Sequence, residues 1–454
     1  MRANPIPLLA AIAVLSATDV RPASAQAPIP TPTPSQTPSA ISERPYRGLF
    51  GGGVGDVRQL LTASGSVGGG YDDNILTDAR SLGHSGNVRP EAARAGTLGS
   101  FQAAIAYTLT GDRTGLNASI GASSRYYPGL TPSYISGYRA ALGGSRRFGD
   151  NTTVGAGAGI SYLPFRLTGV FPDTFDGEEP VEVVPDLDLT ASLEAFWMRR
   201  AFALASHELT PRSSLTATAS HRSSESARWT DGLAHERVNL AYRYNIDRGL
   251  ALRGAWGYAT WHKASVYRSG NQLFDGGLDF NRALSFSRHT MLSFGTGMTA
   301  LDHYGQPDYR WSGNARLDHD IGRTWKAMVG YHRGLRHIDT LTDPVFSNSI
   351  RASAGGLVTR RLQVSTDAWA SIGDVGFTQG DKRFDTYASA VSMSYALTRY
   401  VGIGIRYARY YYHFDPLVVL PPGVPHDIDR QSLRAEVDLW APLFLRARRS
   451  DVAR

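Results

Sequence analysis

The residues best equipped for chemistry in this chain are Tyr71-Asp72-Asp73-Asn74, whose carboxylates and amide are the oxygen donors that Ca²⁺ takes. A calcium loop needs further ligands at fixed spacing, and none follows here, so the tetrad reads as a strand-ending turn. Phe175-Asp176-Gly177-Glu178-Glu179 is a second acidic group, in a long polar stretch, and reads as solvated surface. The 12 histidines do not cluster with metal-ligand spacing, and no HExxH, GxSxG or P-loop pattern occurs. The chain has no cysteine, which removes disulfides, zinc-thiolate sites and thiol nucleophiles together. No catalytic residue, metal site or cofactor is therefore expected. The one enzymatic route left is a site assembled across strands from Ser, His and Asp.

A different set of charged residues is more informative, because each alternates with apolar neighbours. The basic members are Arg139, Arg243, Arg253, Arg316, Lys326, Arg406 and Arg434. The acidic members are Glu194, Asp279, Asp318, Asp367, Glu436 and Asp438. Near balance gives no decisive charge preference. Two arrangements stay open: opposite charges on separate walls, orienting a polar solute by a transverse field, or ion pairs between neighbouring strands.

The elements that would position these residues are β-strands. Side chains of a strand alternate between its faces, so alternating polarity means one face meets oil and the other water. In 250–260, Leu250, Leu252, Trp256 and Tyr258 oppose Arg253, Ala255 and Gly257. In 433–439, Leu433, Ala435, Val437 and Leu439 oppose Arg434, Glu436 and Asp438. Three ionisable groups on one strand face exclude a dry core behind it. Short turns fall at Gly111-Asp112-Arg113, Gly149-Asp150-Asn151, Asn245–Gly249, Ser287-Arg288-His289, Ile321-Gly322-Arg323, Thr359-Arg360-Arg361 and Thr398-Arg399-Tyr400. Longer polar segments lie between them, near 73–95, 164–185, 222–232, 263–274, 302–308, 334–346, 373–384 and 412–429. Short and long connections in alternation are the mark of outer-membrane barrels. The expected fold is all-β: a transmembrane antiparallel up-and-down β-barrel of about 18 strands, with 16 as the alternative, running from Leu61 to Phe444.

Two stretches resist that pattern. In 186–209, Leu187, Leu189, Ala191, Leu193 and Trp197 set one phase and Phe202 and Leu204 the other, which a bulge near Arg199-Arg200 would reconcile. Arg282 shares parity with Phe280 and Leu284. On the lipid face it is expected near an interface, since the bilayer midplane costs a cation about 2–4 kcal/mol. Tyr71, Tyr107, Tyr126, Tyr162, Tyr242, Tyr244, Trp311, Trp325, Tyr395 and Tyr407 mostly fall near strand ends, where aromatic girdles form.

The flanks fit an exported chain. Residues 1–25 combine Arg2, the apolar run Ile6–Leu15 and Ala23-Ser24-Ala25, a signal peptide cleaved after Ala25. Residues 26–60 read as a Pro-rich periplasmic linker, with six prolines in 27–45, and 445–454 as a basic C-terminal tail. Mean hydropathy is −0.24, against a helical membrane protein. The net charge of +7 comes from scattered arginines rather than a basic block, against nucleic-acid binding.

Gly68-Gly69-Gly70-Tyr71-Asp72-Asp73-Asn74-Ile75 resembles the opening strand and loop of an outer-membrane β-barrel porin family associated with exopolysaccharide production or export. Leu209-Thr210-Pro211-Arg212-Ser213-Ser214-Leu215 is similar to that family's periplasmic turn, and Ala441-Pro442-Leu443-Phe444 to its closing strand. The resemblance covers 60–444 and implies a barrel in the outer membrane with no catalytic residues to carry over. The partners it implies are outer-membrane lipid, periplasmic chaperones, the barrel-assembly machinery and polysaccharide export components. Phe444 is followed by ten residues, a departure from barrels that end on the aromatic residue read during assembly. On these grounds the barrel is expected to be porin-like, passing polar solutes or saccharides, with export or cell-surface assembly as the alternative.

Overall fold

The computed structural model describes residues 57–73, 96–128, 134–164, 187, 195–226, 233–263, 267–284, 287–303, 306–336, 341, 345–376, 382–420 and 425–447. Met1–Ser35 and Gln36–Arg454 separate into two units, and every described residue lies in the second. The signal peptide, most of the linker, the acidic group at 175–179 and the tail beyond 447 lie outside the described residues.

Strands β1 (Val57–Asp72), β2 (Gly96–Thr110), β3 (Thr114–Tyr126), β4 (Tyr134–Phe148), β5 (Thr152–Pro164) and β6 (Ala195–Thr210) open the sheet. They continue as β7 (Ser213–Ser226), β8 (Leu233–Asn245), β9 (Leu250–Lys263), β10 (Tyr267–Leu284), β11 (Ser287–His303) and β12 (Gln306–Ile321). The last are β13 (Trp325–Arg336), β14 (Val345–Leu357), β15 (Leu362–Val375), β16 (Arg383–Ala396), β17 (Val401–Phe414) and β18 (Asp427–Ala447). Each pairs antiparallel with its sequence neighbours, and β1 pairs with both β2 and β18. The 18-stranded sheet closes on itself.

Closure and alternation together give the sheet two surfaces. Val67 lies opposite Phe101 on one side and Val437 on the other. All three are large, apolar and exposed, at 57%, 53% and 41%. Around the ring Ile120, Leu142, Leu240, Leu252, Leu278, Val329, Ile350 and Ile405 share that outward face. A band of this kind is stable only against hydrocarbon. Aromatic residues bound it. Tyr126 and Tyr134 (5.0 Å), Tyr162 and Trp197 (5.0 Å), and Tyr387 and Tyr411 (4.8 Å) pack ring on ring toward the wide connections. Tyr242, Tyr244, Tyr395 and Tyr400 stand exposed near the short turns. Arg282 is outward on β10, two positions before that strand ends at a short connection, which puts it at the rim.

Three of the short turns share one device. A Thr or Asp oxygen accepts backbone N–H groups two and three residues on, a local bond that tightens the reversal. Asp247 Oδ1 accepts from Gly249 (2.7 Å) and Leu250 (2.8 Å), and Thr398 Oγ1 accepts from Tyr400 (3.1 Å) and Val401 (3.0 Å). Thr359 does the same for Arg361 and Leu362. Pro211-Arg212 joins β6 to β7, with Thr210 Oγ1 2.7 Å from Ser213 Oγ.

The structure corrects several boundaries. β1 begins at Val57 rather than Leu61, and β18 runs to Ala447, so Phe444 lies outward within the sheet instead of at its end. Ser287-Arg288-His289 is the start of β11, not a turn. The expected long loops at 263–274 and 302–308 shrink to connections of 264–266 and 304–305, because β9–β12 continue outward. No bulge interrupts β6 near Arg199-Arg200. Its register with β5 is continuous from Ala195 to His207, with Trp197 outward and Phe202 and Leu204 inward. Leu187 belongs to no strand and is buried, its carbonyl accepting Arg125 Nη1 at 2.9 Å.

The β1–β18 seam is held by more than backbone pairing. A Cβ at Gly68 or Gly70 would collide with the carbonyls of Ala435 or Leu433 on β18, so only glycine permits this approach. Two residues beyond Gly70, Asp72 (0% exposed) accepts Arg430 (2% exposed) through Nη2 at 2.6 Å and Nε at 3.0 Å. Tyr127 Oη lies 3.2 Å from Arg430 Nη2. Asp73 Oδ1 accepts the Gln431 N–H at 2.7 Å. The Tyr71–Asn74 tetrad thus has its carboxylates engaged in fastening the first strand to the last. Arg430→Leu is expected to leave Asp72 buried without its guanidinium and to cost about 3–5 kcal/mol. Tyr127→Phe removes one neutral donor and costs about 1 kcal/mol. Denaturant unfolding in detergent measures both, and equal midpoints for the two variants would show that the seam does not depend on the ion pair.

Candidate functional site

The opposite parity of every strand faces the barrel interior, and that surface is the candidate site. By register, Arg139 on β4, Arg243 on β8, Arg253 on β9 and Asp279 on β10 face inward. So do Arg316 and Asp318 on β12, Lys326 on β13 and Asp367 on β15. Arg406 on β17 and Arg434, Glu436 and Asp438 on β18 complete the set. Glu194 lies outside the described residues.

Acidic groups on this surface sit beside cations. Arg253 bridges two carboxylates of β10, with Nη2 3.1 Å from Asp275 and Nη1 3.1 Å from Asp279. Arg351 on β14 reaches Asp367 on β15 at 3.1 Å. Arg316 holds Asp318 through two bonds of 2.7 and 2.8 Å. Arg434 Nε stands 3.9 Å from Glu436, which also accepts Ser66 Oγ at 3.1 Å. Lys326 stands 4.0 Å from Asp320 beside a short turn. These pairs are local, between neighbouring positions, because residues directly opposite or two apart on a strand face are within side-chain reach.

The wall formed by β3–β8 is different. Its inward positions carry Arg125, Arg139, Arg200, Arg222, Arg237 and Arg243. Arg200, Arg222 and His235 stand directly opposite one another across β6, β7 and β8. Among the described residues, the inward acidic residue on these strands is Glu208, at the rim beside the Pro211-Arg212 turn. Charge in the interior is therefore mixed on one side and predominantly basic on the other. Among the described residues, no group of three or more His, Cys, Asp or Glu side chains could hold a metal ion.

Much of the loop end of the interior, away from the Asp72–Arg430 pair, is apolar. Leu163, Phe196, Met198, Val345, Val375, Phe384, Ala388, Tyr410, Tyr412, Phe414 and Ile428, all inward on their strands or strand ends, form one buried cluster with Leu341 and Val418. Phe384 and Phe414 stack at 5.6 Å, and Tyr412 meets Phe414 edge-on at 5.6 Å. Leu98, Tyr127 and Ile135 form a second buried cluster on β2–β4.

Sequence reasoning did not single out Arg351, Asp275, Arg125, Arg200, Arg222, Arg237 or Arg430 as interior residues. Parity within each strand identifies them once one outward apolar neighbour is fixed. The apolar cluster left no such signal, since its members come from distant strands and two connections.

An 18-stranded closed barrel with an apolar outer band, aromatic girdles and a charged interior defines a transmembrane β-barrel of the outer-membrane class. No family model and no curated protein matches the chain. Among solved structures it is similar to OccK2 (OpdF) of Pseudomonas aeruginosa in complex with glucuronate, at 10% identity and TM-score 0.44, over 86% of this chain and 100% of that one. OpdQ of the same organism is similar at 10% identity and TM-score 0.42, over 85% and 98%. OccAB1 of Acinetobacter baumannii is similar at 11% identity and TM-score 0.42, over 89% and 100%. What this interior does is set by its own residues.

Removing Arg253 tests the paired wall. Arg253→Ala takes away the guanidinium that joins Asp275 and Asp279 and should shift the reversal potential in a salt gradient toward cations. Asp279→Asn should shift it toward anions, and identical potentials for the two variants would place both groups outside the conducting path.

Proposed function

We propose that this protein is a non-enzymatic outer-membrane channel for small polar solutes, with a preference for anions. The observation that carries the reading is the interior of β3–β8, where arginines face a lumen that a barrel of this strand number leaves wide enough for water and solute. A wall of one charge sign raises the local concentration of oppositely charged solute, an effect that salt screens. The mechanism is diffusion down a gradient, with the arginine wall drawing the solute in and the paired wall keeping its acids neutralised. Saccharides belong to the solutes such a surface can take, since serine hydroxyls line it beside the charges, as in Ser365 and Ser392 at 2.6 Å.

Proteoliposome permeation tests the reading. A hexuronate should enter about tenfold faster than the neutral hexose of the same size at low ionic strength, and the advantage should shrink with salt. Arg222→Ser with Arg243→Ser should abolish the difference. A folded, inserted barrel that passes neither sugar would overturn the channel.

The resemblance of Gly68–Ile75 to the exopolysaccharide-associated family supports a second reading, a barrel component of polysaccharide export. Deleting the gene separates the two: loss of secreted polysaccharide with unchanged solute uptake favours export, and the reverse favours the channel.

A further inference from the structure

The apolar cluster at the loop end is out of keeping with an open mouth. Its strand members stand where each strand meets a wide connection: Leu163 on β5, Phe196 on β6, Val345 on β14, Phe384 on β16 and Phe414 on β17. Register turns them inward, where an open mouth would bathe them in water. Instead Val345, Tyr412 and Phe414 are 0% exposed. β5 and β14 lie on opposite sides of the ring, so one continuous cluster spans the lumen.

Two of its members come from the connections rather than the wall. Leu341, between β13 and β14, is 4% exposed, and Val418, between β17 and β18, is 2% exposed. Val418 is presented by a turn. Its N–H donates to the Asp415 carbonyl at 2.9 Å, and Leu417 N–H donates to Asp415 Oδ1 at 2.9 Å. The Asp415 N–H donates in turn to the Arg383 carbonyl at 2.9 Å, tying the turn to β16. Leu417 and Val419, on either side of Val418, are 64% and 77% exposed. The turn therefore buries one apolar side chain selectively, between two that stay outside.

We infer that Leu341 and Val418 decide passage through the barrel, by completing an apolar seal across its outer mouth. This rests on the channel reading of the interior beneath them. An apolar constriction stops water and ions by dewetting even where it is not fully closed sterically. The seal is held by packing of Leu341 and Val418 against the wall, so it opens when these two side chains withdraw and leaves the sheet intact. A solute arriving from outside meets the seal before it meets the arginines.

The chain has no cysteine, so one introduced thiol reports access to the interior. Thr218→Cys places it at an inward position midway along β7. A charged, membrane-impermeant thiol reagent is applied from the outer face, in the otherwise unchanged chain and in one carrying Leu341→Asp and Val418→Asp. Labelling should quicken by roughly tenfold for each apolar side chain removed from the cluster. The fraction of time spent conducting in planar bilayers should rise with it. Val418→Ser alone, a milder change, should give an intermediate rate, and heat-modifiable migration in gels confirms that each variant is folded. Equal labelling rates in all three folded proteins would overturn the seal. Faster labelling without permeation of any solute would uphold the seal and overturn the channel. Permeation that is unchanged, with labelling unchanged, would uphold the channel and overturn the seal.

Discussion

In hydrocarbon, each backbone N–H or C=O left without a partner costs several kcal/mol, because no water is available to replace it. A sheet in a membrane therefore cannot have an edge, and the first strand of this chain must find the last. Everything else in the structure is compatible with that meeting. Gly68 and Gly70 let β1 lie closer to β18 than a side chain would permit. Asp72 and Arg430 then lock the seam at its outer end, in a place so dry that either ion alone would be unstable. The segment with the strongest ligand-like composition in the sequence turns out to serve closure.

Once the ring is shut, period-two alternation distributes chemistry without further instruction. Outward positions dissolve in lipid and inward positions meet solvent, so a charged residue needs only the right parity to reach the lumen. Local pairing follows from the same geometry, because partners such as Arg351 and Asp367 are brought side by side by strand register. The arginines of β3–β8 gather on one wall, and the row of Arg200, Arg222 and His235 across β6, β7 and β8 is the most distinctive surface of the interior.

Strand number and sidedness were legible in the sequence because alternation is a local signal that each membrane-spanning strand repeats. It fails where one of the two solvents changes. Around Ser269, Asn271 and Gln272 the sequence of β10 carries no apolar alternation and resembles a loop, although the backbone there is paired strand. On β6 the inward positions around Arg200 are apolar, with Phe196, Met198, Phe202 and Leu204 inward against Ala201, Ala203 and Ala205 outward. The polarity reverses there while the register does not, and a reversed pattern mimics a bulge. The seal at the mouth has no periodicity at all. Leu341 and Val418 each have other apolar residues near them in their connections, and only the folded chain shows which of these is buried.

The extra length of β10 and β11 carries one more implication. These strands hold 18 and 17 residues, where crossing the bilayer takes roughly 9–11. Their surplus stands beyond the membrane as hydrogen-bonded sheet joined by the narrow connections 264–266 and 304–305. On that flank of the outward-facing rim, an attacking protease finds chain already committed to neighbouring strands. Cleavage requires a segment that can be drawn out and extended in a foreign cleft, and a paired ribbon resists it. The barrel thus presents a stiff parapet to the outside world on one side of its entrance.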